Sequence, residues 1–351
     1  MLRRFVPALV LLWVLVLPAC AQDAVFPGET WEYAPAAEYG WELDALQGVN
    51  AFIRDSTNTT GLVLVDRGKV VLEFGDTQEL SYLASVRKSV LALLYGNYVA
   101  DGTVDLDATL ADLGMDDIQG LTDREKRATV RDLISARSGV YHPASNAGDN
   151  SDEAPVRGSQ EPGTYYLYNN WDFNAAGAAF ELITGRDIYD ALETDLAVPL
   201  GFEDWDRGAQ RKSGDTSRSR YRAYHIWMST RDMARIGHLM LNDGNWNGTQ
   251  VVPADWARET VSLITPREEM NPARWREGEF GYGYMWWVWD GPQATGDFEG
   301  AYTARGYFGQ YITVLPAAGI VIAHKTKAAY GRFVGWDTYM AVVRRILEAR
   351  R

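Results

Sequence analysis

Ser85 and Lys88 are the side chains whose types and spacing point most directly to chemistry. They lie three residues apart in Ser85-Val86-Arg87-Lys88, where an apolar stretch, 86–99, predicts a buried helix. Residues i and i+3 of a helix share one face, with Cβ atoms about 5–6 Å apart. The amine can then hydrogen-bond the hydroxyl and take its proton, if burial or positive potential lowers the lysine pKa. We interpret the pair as a nucleophile and its base.

The position of this serine favours the catalytic interpretation over a chance pattern. A capping serine followed by a solvated lysine would look the same, yet no other serine of this chain has lysine three residues on. The positive end of the helix dipole at Ser85 would help to lower the pKa of Lys88. It would also stabilise a developing oxyanion.

Two segments carry a resemblance to a known family. The segment 84–90 resembles the first motif of serine β-lactamases, penicillin-binding proteins and their esterase relatives. Pro-Gly-Thr at 162–164, followed by Tyr168-Asn169-Asn170, is similar to their second motif, Tyr-x-Asn, with Asn169 where serine is usual. The segments 131–139 and 229–237 also resemble framework segments of the family, and the resemblance covers roughly residues 40–350.

The resemblance implies roles for the second motif. Tyr168 would move protons between the nucleophile and the leaving group, coupled to a nearby Lys88. Asn170 would hydrogen-bond Lys88 or the acyl side of the substrate. Without the motif, either residue could equally be a packing or a turn residue, because the chain has 19 tyrosines and Asn169-Asn170 suits a turn.

The third motif departs from the common family pattern. Where many members carry Lys-Thr-Gly or His-x-Gly on an inner strand, this chain has Ala304-Arg305-Gly306. Strand alternation places Arg305 on the face opposite Ala304 and Gly306, so we expect that Arg305 cannot simply replace the missing lysine. This pattern resembles the branch that contains 6-aminohexanoate-dimer hydrolase and class C-like carboxylesterases. By the family geometry, the backbone N–H groups of Ser85 and Tyr307 would form the oxyanion hole, with Gly306 allowing close approach.

Three further residues are candidates for substrate contact. Tyr141 and His142 lie in a loop that can border the site in this family, and Trp171 follows Asn170 and would wall an apolar pocket. The four histidines show no metal-ligand spacing, so we predict neither a metal nor a cofactor.

The first residues are typical of an export signal. Arginines at 3–4 precede an apolar run, 5–17, and small residues at 19–21 suit cleavage. The segment 17–20 also resembles a bacterial lipoprotein box, in which Cys20 would be lipidated. Because the proline in this box is unusual, we favour simple secretion, so the protein would be periplasmic or secreted and would meet a membrane only through a lipid on Cys20.

Composition limits the partners. The formal net charge of −13 argues against nucleic acid, and the expected partner is a small-molecule ester or amide. Cys20 is the only cysteine, so no internal disulfide can form.

Residue patterns predict an α/β (α+β) fold of the β-lactamase/transpeptidase type. The signal would span 1–21, an N-terminal arm 22–40, and the hydrolase domain 41–351, with a helical subdomain at about 86–215 inserted in the sheet subdomain. An antiparallel sheet flanked by helices would then meet an all-helical part, with the active site at the seam. Helices are predicted at 41–53, 86–99, from 129, 174–184, 230–241 and 337–350. Strands are predicted at 61–73 (a hairpin), 281–289, 309–315 and 320–323.

These observations predict a serine hydrolase that cleaves a small ester or amide through an acyl-enzyme. β-Lactamase or D-amino-acid peptidase activity at the same serine is the alternative within the class. It ranks lower because Ala304 offers no cation for a substrate carboxylate. A noncatalytic binding or sensor domain of the same fold is the alternative from another class.

Overall fold

A seven-stranded antiparallel sheet is the main element of the computed structural model, which describes residues 25–350. The predicted signal, 1–21, and Cys20 lie outside these residues. The strand order is β2-β1-β13-β12-β11-β10-β9, and every neighbouring pair is antiparallel. The sheet strands are β1 (Gly61–Asp66), β2 (Lys69–Gly75), β9 (Phe280–Tyr282), β10 (Trp287–Trp289), β11 (Tyr302–Gly306), β12 (Gln310–Leu315) and β13 (Ile320–Lys325). Three two-stranded ribbons pair β3 (Ser81–Tyr82) with β6 (Trp227–Met228), β4 (Arg211–Ser213) with β5 (Ala223–His225), and β7 (Asn245–Trp246) with β8 (Thr249–Gln250).

Helices lie near both ends of the described residues and in the middle of the chain. The helices are α1 (Leu43–Ser56), α2 (Val86–Ala100), α3 (Val130–Ile134), α4 (Asn170–Thr184), α5 (Ile188–Leu192), α6 (Val198–Leu200), α7 (Thr230–Leu241), α8 (Ala254–Thr260) and α9 (Trp336–Glu348). Among residues 25–350, no helix combines the length and the apolarity needed to cross a membrane. The α/β fold with an antiparallel sheet and flanking helices is confirmed.

The two faces of the sheet are covered by different helices. Tyr339 of α9 stacks on Tyr311 of β12, with ring centroids 4.2 Å apart. Helix α7 approaches Ile312 so closely that a Cβ added to Gly237 would lie 3.0 Å from it. Because Tyr311 and Ile312 are successive strand residues, α9 and α7 pack on opposite faces.

The helical part contributes α2 and α4, the two elements that later carry the site. Helix α2 is buried along most of its length, because it packs against α4, α8 and β11. Tyr95 of α2 donates a hydrogen bond to the carbonyl of Ala176 in α4, 2.6 Å away. Burial of this apolar helix stabilises the boundary between the two parts.

Two predicted elements differ most from the structure. The predicted strand 281–289 is two short strands, β9 and β10, because the chain reverses at Gly283–Trp286, where Met285 adopts a φ of 60°. The turn is not evident from the sequence, because the residues of both strands and of the turn between them are mostly apolar. Helix α4 begins at Asn170 rather than at 174, because the side chain of Asn169 caps it by accepting a hydrogen bond from the N–H of Asp172.

Candidate active site

Ser85 lies at the turn between β3 and α2. The residue before it, Ala84, adopts a φ of 49°, a left-handed conformation that is unusual for a residue with a Cβ atom. Such local strain often occurs at functional sites. The Ser85 side chain makes no capping hydrogen bond to the helix, so the capping explanation of this serine does not apply.

Lys88 is buried beneath Ser85 and contacts the second motif. Its Nζ donates hydrogen bonds to Tyr168 Oη, 2.6 Å away, and to Asn170 Oδ1, 2.8 Å away, and its side chain is only 1% exposed. The expected direct hydrogen bond from Lys88 to Ser85 is absent among these described side chains. The connection runs instead through Tyr168, whose pKa is influenced by a hydrogen bond with the Ser85 side chain.

Burial shifts the pKa values of both proton-handling groups. Desolvation holds the pKa of Lys88 well below its usual range, the nearby Arg87 cation lowers it further, and Asp149 partly opposes the shift. Desolvation raises the pKa of Tyr168 to about 12, although its hydrogen bond with Ser85 and the charges of Arg87 and Arg305 act in the other direction. These shifts favour a neutral amine beside a neutral phenol.

Asn170 connects this pair to the loop 147–158. Its side chain accepts from Lys88 and donates to the carbonyl of Ala147, 3.0 Å away. Its backbone N–H donates to Asp149 Oδ2 at 2.7 Å, because the first N–H groups of a helix have no partner within the helix. The first turn of α4 therefore positions both the lysine and the loop that borders the cavity.

Gly306 lies against the turn that carries Ser85. A Cβ at this position would lie 2.5 Å from the carbonyl oxygen of Leu83 and 3.2 Å from the Ser85 nitrogen. Only glycine permits this approach. The backbone N–H groups of Ser85 and Tyr307 belong to no helix or strand, and neither finds an acceptor within residues 25–350.

An open cavity of about 410 Å³ lies above Ser85. Most of its wall is aromatic, and sequence reasoning missed these side chains because they come from segments far apart in the chain. Its lining residues are Ser85, Gly148, Asp149, Asn150, Tyr168, Trp275, Trp287, Arg305, Gly306, Tyr307, Phe308, Tyr311, Phe333 and Trp336. Trp287 of β10 therefore has a second role besides packing in the sheet, since its ring lines this cavity.

Arg305 lies at the edge of the Ser85 cavity. Alternation along β11 holds, yet the Arg305 side chain lines the Ser85 cavity. That Arg305 cannot simply replace the family lysine stays a prediction. This cavity continues past the end of β11 to Tyr311 and Trp336, and a long side chain reaches it there. Ala304 is fully buried and offers no polar group to the cavity.

Trp171, Tyr141 and His142 do not reach this cavity. Trp171 is fully buried and donates through Nε1 to Asp117 Oδ2, 2.7 Å away, so it is a core residue. Tyr141 and His142 line a separate cavity of about 200 Å³. The ring nitrogens of His142 lie 3.0 and 2.8 Å from the carbonyl oxygens of Pro143 and Ile118. These backbone contacts account for the placement of the His142 ring without a role in the Ser85 cavity.

Metal ligands do not cluster in the part of the chain that the structure describes. Residues 25–350 contain no group of three or more His, Cys, Asp or Glu side chains placed to hold a metal ion.

The fold described above is that of a family of serine hydrolases. The β-lactamase family model matches residues 49–344, and the chain belongs to this family. A relative from Alkalihalophilus pseudofirmus, which has no assigned function, is 28% identical over 128 residues, or 34% of this chain. The match spans 35% of that relative, about a third of its length.

Solved structures show the same fold. A Bacillus anthracis protein assigned as a 6-aminohexanoate-dimer hydrolase superposes with a TM-score of 0.64 at 20% identity, covering 85% of this chain and 80% of that one. A family VIII carboxylesterase gives 0.65 at 15% identity, covering 91% of this chain and 99% of the other. At such identities, the likeness concerns the fold alone.

Proposed function

We propose that this protein hydrolyses a small ester or amide through an acyl-enzyme on Ser85. The observation that carries the proposal is the continuous contact from Ser85 through Tyr168 to Lys88 and Asn170, at the floor of an open cavity. A hydroxyl is activated as a nucleophile when a base lies within reach and a third group orients that base.

The pKa shifts indicate the direction of proton transfer. A phenol with a pKa of about 12 does not hold a stable negative charge near neutral pH, so Tyr168 would relay a proton rather than store a charge. When Ser85 Oγ attacks the substrate carbonyl, its proton would pass to Tyr168 while the phenol proton passes to neutral Lys88. The reverse transfer would protonate the leaving group, and the same path would activate the water that releases the acyl group.

The oxyanion would be held by backbone donors. The N–H groups of Ser85 and Tyr307 have no acceptor among residues 25–350, and Gly306 brings their two segments together. Two fixed N–H donors aimed at a developing negative charge supply the stabilisation that acyl transfer requires. The positive end of α2 adds to it.

Covalent labelling tests the proposal. A fluorophosphonate probe should label the wild-type protein at Ser85, and intact mass spectrometry should show one adduct that Ser85→Ala lacks. Ser89→Ala is the matched control, because Ser89 is in the same helix but donates to the carbonyl of Met285, 2.6 Å away. Labelling that persists in folded Ser85→Ala protein would overturn the proposal, and absence of any labelling would favour a noncatalytic binding domain.

A β-lactamase or D-amino-acid peptidase reaction on Ser85 is the second candidate. The observation that favours it is Arg305, since a cation in the cavity removes the reason for ranking carboxylate-bearing substrates lower. Initial rates with nitrocefin, a D-alanyl-D-alanine peptide and p-nitrophenyl butyrate would rank the candidates. A kcat/KM for nitrocefin equal to or above that for the ester would favour the β-lactamase reaction.

Export remains part of the proposal. Its support is the arginine pair at 3–4, the apolar run at 5–17 and the small residues at 19–21. Mass spectrometry of the N-terminus in native membrane and soluble fractions would distinguish cleavage after Ala21 from a lipid on Cys20. An active cytoplasmic protein that retains Met1 would contradict export.

A further inference from the structure

Arg87 is a buried cation that has no role in the proposed reaction as described so far. It lies between Ser85 and Lys88 at the start of α2, and it is only 2% exposed. Its Nη2 donates a hydrogen bond to Asn174 Oδ1, 2.9 Å away, whereas its Nη1 is buried without a partner. No carboxylate among residues 25–350 forms an ion pair with it. Because arginine keeps its proton in proteins, a positive charge without a counter-ion lies directly beside the catalytic lysine.

The contacts of Arg87 run parallel to those of Lys88. Lys88 donates to Asn170, and Arg87 donates to Asn174, which lies about one turn further along α4. Each asparagine then holds the loop that borders the cavity. Asn174 Nδ2 donates to Asn146 Oδ1, 2.8 Å away, and Asn170 donates to the carbonyl of the next loop residue. Successive residues of α2 are therefore fixed by equivalent residues of α4, which places Arg87 in the same frame as the lysine.

The ionisable groups around Arg87 do not compensate its charge. Its guanidinium carbon lies 4.3 Å from the ring centre of Tyr224. Burial raises the pKa of this phenol and the pKa values of Tyr82 and Tyr189. Burial also lowers the pKa of His225 to about 4, and the Arg87 charge adds to this shift. These side chains of β3, α5 and β5 are therefore neutral near pH 7.

Protonation of Lys88 would place a second cation beside Arg87. Among residues 25–350, the charged side chains that act on Lys88 or on its partner Tyr168 are Arg87, Arg305 and Asp149. Burial raises the pKa of Asp172, the acid in the first turn of α4, well above its usual range, so this carboxyl adds no negative charge near neutral pH. Asp149 is thus the one acid that opposes the two cations in this set.

We infer that Arg87 is a positioning residue of the Ser85 reaction, which acts through Lys88 by keeping its amine unprotonated and available as the base. The inference rests on the proposed hydrolase reaction, since only there does Lys88 serve as a base. Two like charges held close together in a buried helix repel each other strongly, so the neutral amine is the favoured form beside a fixed guanidinium. The hydrogen bond to Asn174 keeps the guanidinium in this place.

The pH dependence of the reaction tests this role. Arg87→Gln removes the charge, so the pH at the midpoint of the rise in kcat/KM should increase by about one unit, the scale on which a nearby charge shifts a buried group. The assay is hydrolysis of p-nitrophenyl butyrate by the full-length protein, with thermal melting of the same preparations. A merely structural role for Arg87 predicts a lower melting temperature and an unchanged midpoint.

Asn174→Asp tests the same charge without removing the guanidinium. The carboxylate has nearly the shape of the amide and would supply the missing counter-ion at the position that now accepts from Arg87, so the midpoint should again move to higher pH. This variant decides the inference if Arg87→Gln does not fold. Asn174→Ala is the matched control, because it removes the same amide but adds no charge, and it should leave the midpoint unchanged.

Direct titration of Lys88 separates this inference from the proposed reaction. In the full-length Ser85→Ala protein with isotopically labelled lysine, the NMR signal of Lys88 Cε reports protonation of the amine without requiring turnover, and Lys88→Ala identifies the signal. Adding Arg87→Gln or Asn174→Asp should raise the midpoint of this titration by about one pH unit.

The outcomes distinguish the two proposals. A Lys88 midpoint that stays the same or moves to lower pH in either folded variant would overturn the role of Arg87, even if Ser85 forms an acyl-enzyme. A midpoint that rises in these variants while wild-type protein forms no acyl-enzyme would keep the effect of Arg87 on the lysine and reject the hydrolase reaction.

Discussion

Tyr168→Phe tests the proton relay with a small structural change. The substitution removes one oxygen and keeps a ring that packs 4.8 Å from Phe173 and 5.5 Å from Trp287, centre to centre. Lys88 loses the 2.6 Å hydrogen bond but keeps its bond to Asn170. Because Lys88 keeps one partner, we expect a loss of about 0.5–1.5 kcal/mol in the free energy of unfolding, the usual net contribution of one hydrogen bond.

The expected loss of activity is much larger. Without the phenol, the Ser85 proton has no hydrogen-bonded path to Lys88, because no direct bond joins these two residues in the described structure. Loss of a general acid–base group costs about 10²–10⁴ in rate, or about 2.7–5.5 kcal/mol of activation free energy.

Rapid-quench measurement of single-turnover acylation, with thermal melting of the same preparations, separates these effects. Tyr166→Phe is the matched control, because Tyr166 is also buried and its hydroxyl has no hydrogen-bond partner within residues 25–350. A folded Tyr168→Phe protein that acylates within threefold of the wild type would refute the relay.

Three further predictions follow from the same geometry. Lys88→Arg should fold yet lose acylation nearly as fully as Lys88→Ala in single-turnover assays, because arginine does not give up its proton; rescue by arginine would mean that charge alone suffices. Gly306→Ala should lower the free energy of unfolding by about 1–3 kcal/mol and slow acylation, because the added Cβ meets the Leu83 carbonyl; Gly48→Ala, which meets open space, is the control in thermal melting. The kcat/KM should rise with pH, and the midpoint of this rise should lie below the ordinary lysine pKa of 10.5, because neutral Lys88 is the base and burial lowers its pKa. Asp149→Asn removes a negative charge that raises the pKa of Lys88, so the midpoint should move to lower pH, and a midpoint that moves to higher pH would contradict this.

The sequence by itself determined the local elements and the order of the motifs. Apolar periodicity predicted α2 and α9 within a few residues, and the Asp66–Lys69 turn predicted the first hairpin, because these patterns depend on neighbours in the chain. The same local information predicted one strand at 281–289. Apolar residues on both sides of a tight turn carry no signal of the reversal.

Only the tertiary structure decided which side chains meet at the site. The contact between Lys88 and Tyr168 joins residues 80 positions apart, so no local spacing could set its 2.6 Å distance. Trp171 follows Asn170 directly, yet the helix turns its ring into the core rather than to the cavity. Arg305 lies on the strand face opposite Ala304, as alternation required, but it reaches the cavity because three aromatic residues from other elements hold its guanidinium there. Such placements depend on how distant segments pack together, and the order of residues along the chain does not encode them locally.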